Sequence, residues 1–231
     1  SITGLKMIEL NKITKKFTLH NQGKTNILVF NNLNLKINPG EIVALTGPSG
    51  VGKSSILKMI YGNYVFQSGQ IKINNHNIDH KYPRNIIELR KNIIGYVSQF
   101  LRVIPRVPTI EIVMEPLLEI NSDQDEVREK AEKILLKLNI HKNLWNLSPL
   151  TFSGGEQQRV NVARGLIRNY PCLLLDEPTA SLDSVNKDIV LNLINEKKDK
   201  GSSIIGIFHD EYSRKYLKAR EIDITKISDA K

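Results

Sequence analysis

EIVALTGPSGVGKSS (residues 41–55) passes from a short apolar run into a glycine-rich loop and then into residues that begin a helix. The run is of strand length, nearly continuous, and suits a central strand covered on both faces. Gly47, Gly50 and Gly52, with Pro48, Ser49 and Val51 between them, let the backbone wrap closely around phosphate oxygens and point its amides inward. Lys53, Ser54 and Ser55 then open the helix, whose N-terminus adds positive potential. The spacing is G-x-x-x-x-G-K-[ST], and a strand before with a helix after is the context that gives this pattern its meaning. Lys53 is placed to bridge the β- and γ-phosphates of a nucleotide, and Ser54 to ligate Mg2+.

The second half of such a site is CLLLDEP (172–178). Four apolar residues make an interior strand, and Asp176 at its carboxyl end can reach Mg2+. Glu177 can orient and polarise an attacking water, the general-base role that phosphoryl transfer to water needs. An ordinary acidic turn before Pro178 would look the same.

Working outward, MIELNKITKKF (7–17) alternates apolar and polar residues as a half-buried strand does, and NLNLKI (32–37) repeats the pattern before a turn at Asn38-Pro39-Gly40. QIKINNHNI (70–78) is strand-like, with a turn invited at Asn74-Asn75. From about 101 to 168 the character becomes helical. SDQDEVREKAEKILLKLNI predicts a helix with Ser122 as N-cap, and GEQQRVNVARGLIRN (155–169) predicts another. Strand-like runs return at 172–176 and 203–208, separated by a helix from about Asn186 to Lys200 that Gly201 closes. The pattern is an α/β core (about 7–100 and 169–231) with a helical subdomain (about 101–168), all within one domain, 7–231.

The chain has 231 residues and 40% apolar content, enough for a real core. Cys172 stands alone, so no disulfide forms within the chain, as suits a reducing cytosol. With no apolar run near the roughly 18 residues of a membrane span and no signal-peptide pattern, a soluble, cytoplasmic protein is expected. Met7 reads as a native start, with SITGLK (1–6) as a remnant ahead of it. Net charge is +9, and residues 1–100 hold 13 Lys/Arg against 4 Asp/Glu. That basic half could meet an acidic partner or only solvate a surface; no basic, aromatic-rich groove points to nucleic acid.

FSGGEQQRVNVARGL (152–166) resembles the signature motif of ABC ATPases, Ser153, Gly154 and Gly155 exposing amides at a helix N-terminus. The resemblance runs from Met7 to about Glu211. It implies a P-loop NTPase core with a parallel central sheet, an antiparallel N-terminal β-subdomain and a helical insertion. It also implies ATP and Mg2+, hydrolysis of ATP, and two ATPase domains packed head to tail, as a homodimer or with a sibling ATPase. By the same resemblance Gln99 matches the Q-loop glutamine that touches Mg2+ and the water, and His209 the switch histidine at the γ-phosphate. Asp183 of ASLD (180–183) falls in the D-loop, and Phe17 where an aromatic stacks on adenine, though a core Phe fits there equally.

What the ATPase drives is a separate question. SQFLRVIPRVPTIEIVMEPLL (98–118), together with LSPLTFSGGEQQRVNVARGLI (147–167) and GIFHDE (206–211), resembles the PhnL proteins of the carbon–phosphorus lyase system, which implies a soluble role in phosphonate catabolism with the lyase core subunits as partners. The alternative is the ATPase subunit of a membrane transporter of lipoprotein- or macrolide-export type, with a permease as partner. An ATPase acting on DNA or ribosomes usually has paired cassettes or a long coiled coil, and neither is present. Arg102 and Arg106, set among apolar neighbours just past Gln99, suit a docking surface, or else pair internally with Glu111 or Glu115.

Overall fold

The computed structural model describes residues 7–48, 50, 52–102 and 105–229. Alternation in the first stretch yields β1 (Ile8–Leu19), and the phase of that alternation slips once. Ile8 and Leu10 are buried, then Ile13 and Lys15 are, because Lys12 adopts φ 49 where the register to the neighbouring strands shifts. A bulge of this kind resets which side chains face the core. β2 (Thr25–Ile37) pairs antiparallel with β1, from Ile8 opposite Ile37 to Leu19 opposite Thr25. It begins at Thr25 rather than at Asn32, because its first half is exposed and carries no alternation to read. β4 (Ser68–Ile73) and β5 (His76–Asn77) close this sheet in the order β2-β1-β4-β5. Asn74 and Asn75 turn between them with φ 48 and 66, the left-handed pair a tight two-residue hairpin needs.

The second sheet is parallel, in the order β6-β7-β8-β3-β9: β3 (Ile42–Thr46), β6 (Ile94–Val97), β7 (Cys172–Asp176), β8 (Ser203–Ile207) and β9 (Arg220–Asp223). Its central strands β3, β7 and β8 are buried almost throughout because both faces are covered, whereas the edge strand β9 is half exposed. Val43, Leu45, Leu174, Ile205 and Ile207 pack toward the antiparallel sheet and α1 (Gly52–Ile60). Ile42, Ala44, Leu173, Leu175 and Ile204 pack the other way, with α3 (Thr109–Leu118), α4 (Gln124–Lys137), α5 (Gly154–Leu166) and α6 (Ser184–Asp199). α2 (Pro83–Asn92) leads into β6, and α7 (Glu211–Tyr216) into β9.

Ser122 does not cap α4. Asp123 does, accepting the amides of Asp125 and Glu126 at 3.1 Å each, since a carboxylate one position later reaches both orphan donors. Asp183 caps α6, which therefore starts at Ser184 rather than near Asn186. Phe17 lies inside β1, two residues before its end at Leu19.

Candidate nucleotide site

The carboxyl ends of the parallel strands come into line because their register does: Val97 lies opposite Leu175, Leu175 opposite Gly206 and Asp176 opposite Ile207. The segments leaving these strands therefore meet at one edge, the place where open α/β sheets hold ligands. From β3 the chain enters the glycine-rich loop with Gly47 at φ 131, and a Cβ there would also approach Ile224 to 2.9 Å. Lys53 is buried and donates to the carbonyls of Gly47 and Pro48 at 2.7 and 3.0 Å. An ammonium held inside the loop's own curve faces the space that the curve surrounds. Ser49 and Val51 lie outside the described residues.

Asp176, 4% exposed, ends β7. One carboxyl oxygen accepts from the Ser54 hydroxyl at 3.4 Å, and the other is buried with no hydrogen-bond partner. Burial, then the neighbouring Glu177 charge, pushes the Asp176 pKa up. A buried oxygen without a partner, beside a serine hydroxyl, is what a hard divalent cation accepts as ligands, so the residues fit Mg2+. Among the described residues no group of three or more His, Cys, Asp or Glu could hold a metal ion.

Glu177 adopts φ 52, a left-handed conformation rare outside glycine and held here by its amide donating to the Ile207 carbonyl at 3.0 Å. That turn swings its carboxylate between two other loops. Gln99 Nε2 donates to one oxygen at 3.1 Å, and His209 Nε2 lies 2.5 Å from the other. Ser54 is thus brought to Asp176, and Gln99 and His209 to the adjacent Glu177, with Lys53 next to Ser54 in the loop.

Phe17, Ser153, Gly154, Gly155 and Asp183 have other surroundings. Phe17 is half-buried on the antiparallel sheet, edge-on to Tyr64 at 5.3 Å with Lys15 Nζ 4.4 Å from its ring. Ser153 caps α5: its hydroxyl accepts the Glu156 amide at 3.2 Å while Glu156 accepts the Ser153 amide at 3.1 Å. Ser153 and Gly154 are exposed, and a Cβ on Gly154 would meet nothing within 4 Å, whereas one on Gly155 would come 3.3 Å from the Ser181 carbonyl. Asp183 accepts from the Asn186 amide at 2.8 Å, a bond that lowers its pKa.

Two positioning residues escape the sequence reading. From α5, buried Gln158 donates to the Pro178 carbonyl at 2.9 Å and buried Asn161 to the Ser98 carbonyl at 2.7 Å. One helix so ties down the loops of Glu177 and Gln99. Their signal was available: two amides three residues apart, on one face of a helix whose other buried residues are apolar. Arg214 likewise donates to the Phe208 and His209 carbonyls at 2.8 and 3.0 Å.

A parallel sheet with a glycine-rich loop ahead of α1, and an acidic pair at the end of β7, define a P-loop nucleotide-hydrolysing domain. The family profile described as ABC transporter matches residues 30–180, and the chain belongs to that family as an ABC-type ATPase domain. It is similar to the probable syringafactin export ATP-binding/permease protein SyfD of Pseudomonas syringae, 33% identical over 89% of this chain and 31% of that protein. The macrolide export ATP-binding/permease protein MacB of Haemophilus ducreyi is 35% identical over 88% of this chain and 29% of its own length. The chain therefore spans about a third of these export proteins. Among solved structures, the ATP-binding cassette MJ0796, a dimer in a post-hydrolysis state bound to ADP and Pi, superposes with TM-score 0.85 at 29% identity, over 94% of this chain and 95% of that one.

Proposed function

We propose that this chain binds and hydrolyses Mg-ATP as the ATPase part of an export-type membrane transporter. The observation that carries hydrolysis is Glu177, held between Gln99 and His209 at 3.1 and 2.5 Å beside the loop that encloses Lys53. Lys53 and the glycine-rich loop would cradle the phosphates; Ser54, Asp176 and Gln99 would hold Mg2+, which would screen phosphate charge. Glu177 takes the proton of the water that attacks the γ-phosphorus, and ADP leaves as the bond to its β-phosphate oxygen breaks. His209 contacts the γ-phosphate, and Phe17 stacks on adenine. Ser153, Gly154, Gly155 and Asp183 serve the nucleotide of a facing ATPase domain, whether a second copy or a sibling.

The similarity to export ATP-binding/permease proteins favours membrane transport, on the cytoplasmic face, over a role in a soluble carbon–phosphorus lyase assembly. That second reading rests only on the likeness of 98–118, 147–167 and 206–211, and neither SyfD nor MacB supports it. No helix among the described residues is long and apolar enough to cross a membrane, so a transport role needs membrane-spanning segments from elsewhere. Arg102 and Arg106 are exposed and, among the described residues, make no ion pair; Glu115 pairs instead with Arg164 at 3.5 Å. Phe100 beside them is 76% exposed. These three form the docking surface for the driven partner.

Pull-down from detergent-solubilised cells tests this, with tagged wild type against the Arg102→Glu/Arg106→Glu double variant. A membrane permease recovered with the wild type, and reduced at least about tenfold with the variant, is expected. Recovery of soluble phosphonate-cleaving subunits instead overturns the transporter reading.

A further inference from the structure

β1 brings two side chains of different kind onto one face. Lys15 lies opposite Phe30 of β2 and Phe17 opposite Ile27, so the lysine and the phenylalanine, two residues apart, point the same way. The lysine is only 6% exposed, in a strand that otherwise buries Ile8, Leu10 and Ile13. Its ammonium donates to the Val65 carbonyl at 2.5 Å and stands 4.4 Å from the centre of the Phe17 ring and 5.4 Å from that of Tyr64. Burial holds the Lys15 pKa down, and no acid acts against it. A methionine would fill the same space without desolvating a charge, so packing alone does not account for a lysine here.

Tyr64 and Val65 belong to the segment between α1 and β4, which is fastened at both ends. The Asn63 and Tyr64 amides donate to the Lys58 carbonyl near the end of α1, at 2.8 and 3.2 Å. Gln67 donates its amide to the Thr14 carbonyl at 2.8 Å, and its side-chain oxygen accepts the Lys16 amide at 2.6 Å. Tyr64 meets Phe17 edge-on at 5.3 Å. Because α1 carries Lys53 and Ser54 in its first turn, the phosphate loop and the Phe17 ring are joined through that helix and this segment. Lys15 reaches the ring, its edge-on neighbour and the segment's backbone together. Phe17 itself keeps part of its surface open. An ammonium over an aromatic ring draws π density towards itself, which leaves the open surface a better partner for the electron-rich face of a purine.

We propose that Lys15 is a positioning residue for the nucleotide base: its ammonium, moored to the Val65 carbonyl, holds and polarises the Phe17 ring on which the base stacks. This role rests on Phe17 receiving adenine, as proposed above. Lys15 acts through the ring and does not touch the phosphates.

The test is calorimetric titration of the full chain with Mg-ATP and, separately, with Mg2+ and inorganic tripolyphosphate, which has the phosphates and no base. Lys15→Met keeps the bulk and loses the charge, while Lys15→Gln also keeps a donor for Val65. Each is expected to weaken ATP at least about fivefold and to leave tripolyphosphate affinity unchanged. Phe17→Ala should weaken ATP too, and adding Lys15→Met to it should weaken ATP no further, since a lysine that acts through the ring has nothing to act on once the ring is gone. A lysine that only braces the fold would weaken both ligands alike, or weaken ATP equally with and without Phe17. Either result overturns the proposal, as does full ATP affinity in Lys15→Gln. Undiminished ATP binding by Phe17→Ala would instead overturn the stacking of adenine on Phe17, and the role of Lys15 with it.

Discussion

At the carboxyl edge of the parallel sheet Glu177 is gripped from both sides by Gln99 and His209, and Asp176 is buried against Ser54. At the N-terminus of α5 the partners of Ser153 lie within its own first turn, and Gly154 faces open space. The two regions carry motifs of similar legibility but differ in completeness. The first assembles its chemistry from four strands of one chain, so a change there should act within that chain. The second ends in exposed amides, so a change there should show only when something else arrives.

The sharpest break of this contrast is Glu177→Gln. Removing the base from a cluster otherwise intact should leave Mg-ATP binding in place and slow turnover at least about a hundredfold, measured by phosphate release. Wild-type turnover would mean that the gripped carboxylate is not the base.

Next in size is Gly154→Asp. A side chain at Gly154 meets nothing within 4 Å, so the chain should fold and bind ATP alone, yet lose ATP-dependent association by about tenfold or more, read by analytical ultracentrifugation. Mixed with a Lys53→Ala chain it should regain one working site, from its own glycine-rich loop and the other chain's α5. Full association of Gly154→Asp by itself would make the open face a mere helix cap.

The smallest effect concerns the cost of the closed region. Burial raises the Asp176 pKa above its unfolded value, so ionisation opposes folding once pH exceeds about 4, and below that both states hold the proton. Without nucleotide or metal, Asp176→Asn should therefore raise Tm at neutral pH and leave it unchanged near pH 3. A Tm gain equal at both pH values would show that packing, not charge, is the cause.

These contrasts also explain what could be read in advance. The loop at 47–55 and the strand ending at Asp176 are legible because spacing in one short segment fixes their geometry. β9 (Arg220–Asp223) is not, since half its residues are exposed and only pairing with β3 makes it a strand. α3 hides behind Pro108 and an internal Pro116, residues that read as breaks, while its buried Ile112, Val113 and Leu117 form a helix against α5. Gln158 and Asn161 announce polarity but not their partners, which lie 20 and 63 residues away.

α5 holds a further consequence. The helix that presents Ser153 and Gly154 outward also holds, through Gln158 and Asn161, the loops that aim Glu177 and Gln99 inward. In a facing pair each subunit would then sense its neighbour's fuel through the same rod that sets its own trigger. Such a pair would keep its two strokes in step without any messenger between them, because both contacts belong to one helix.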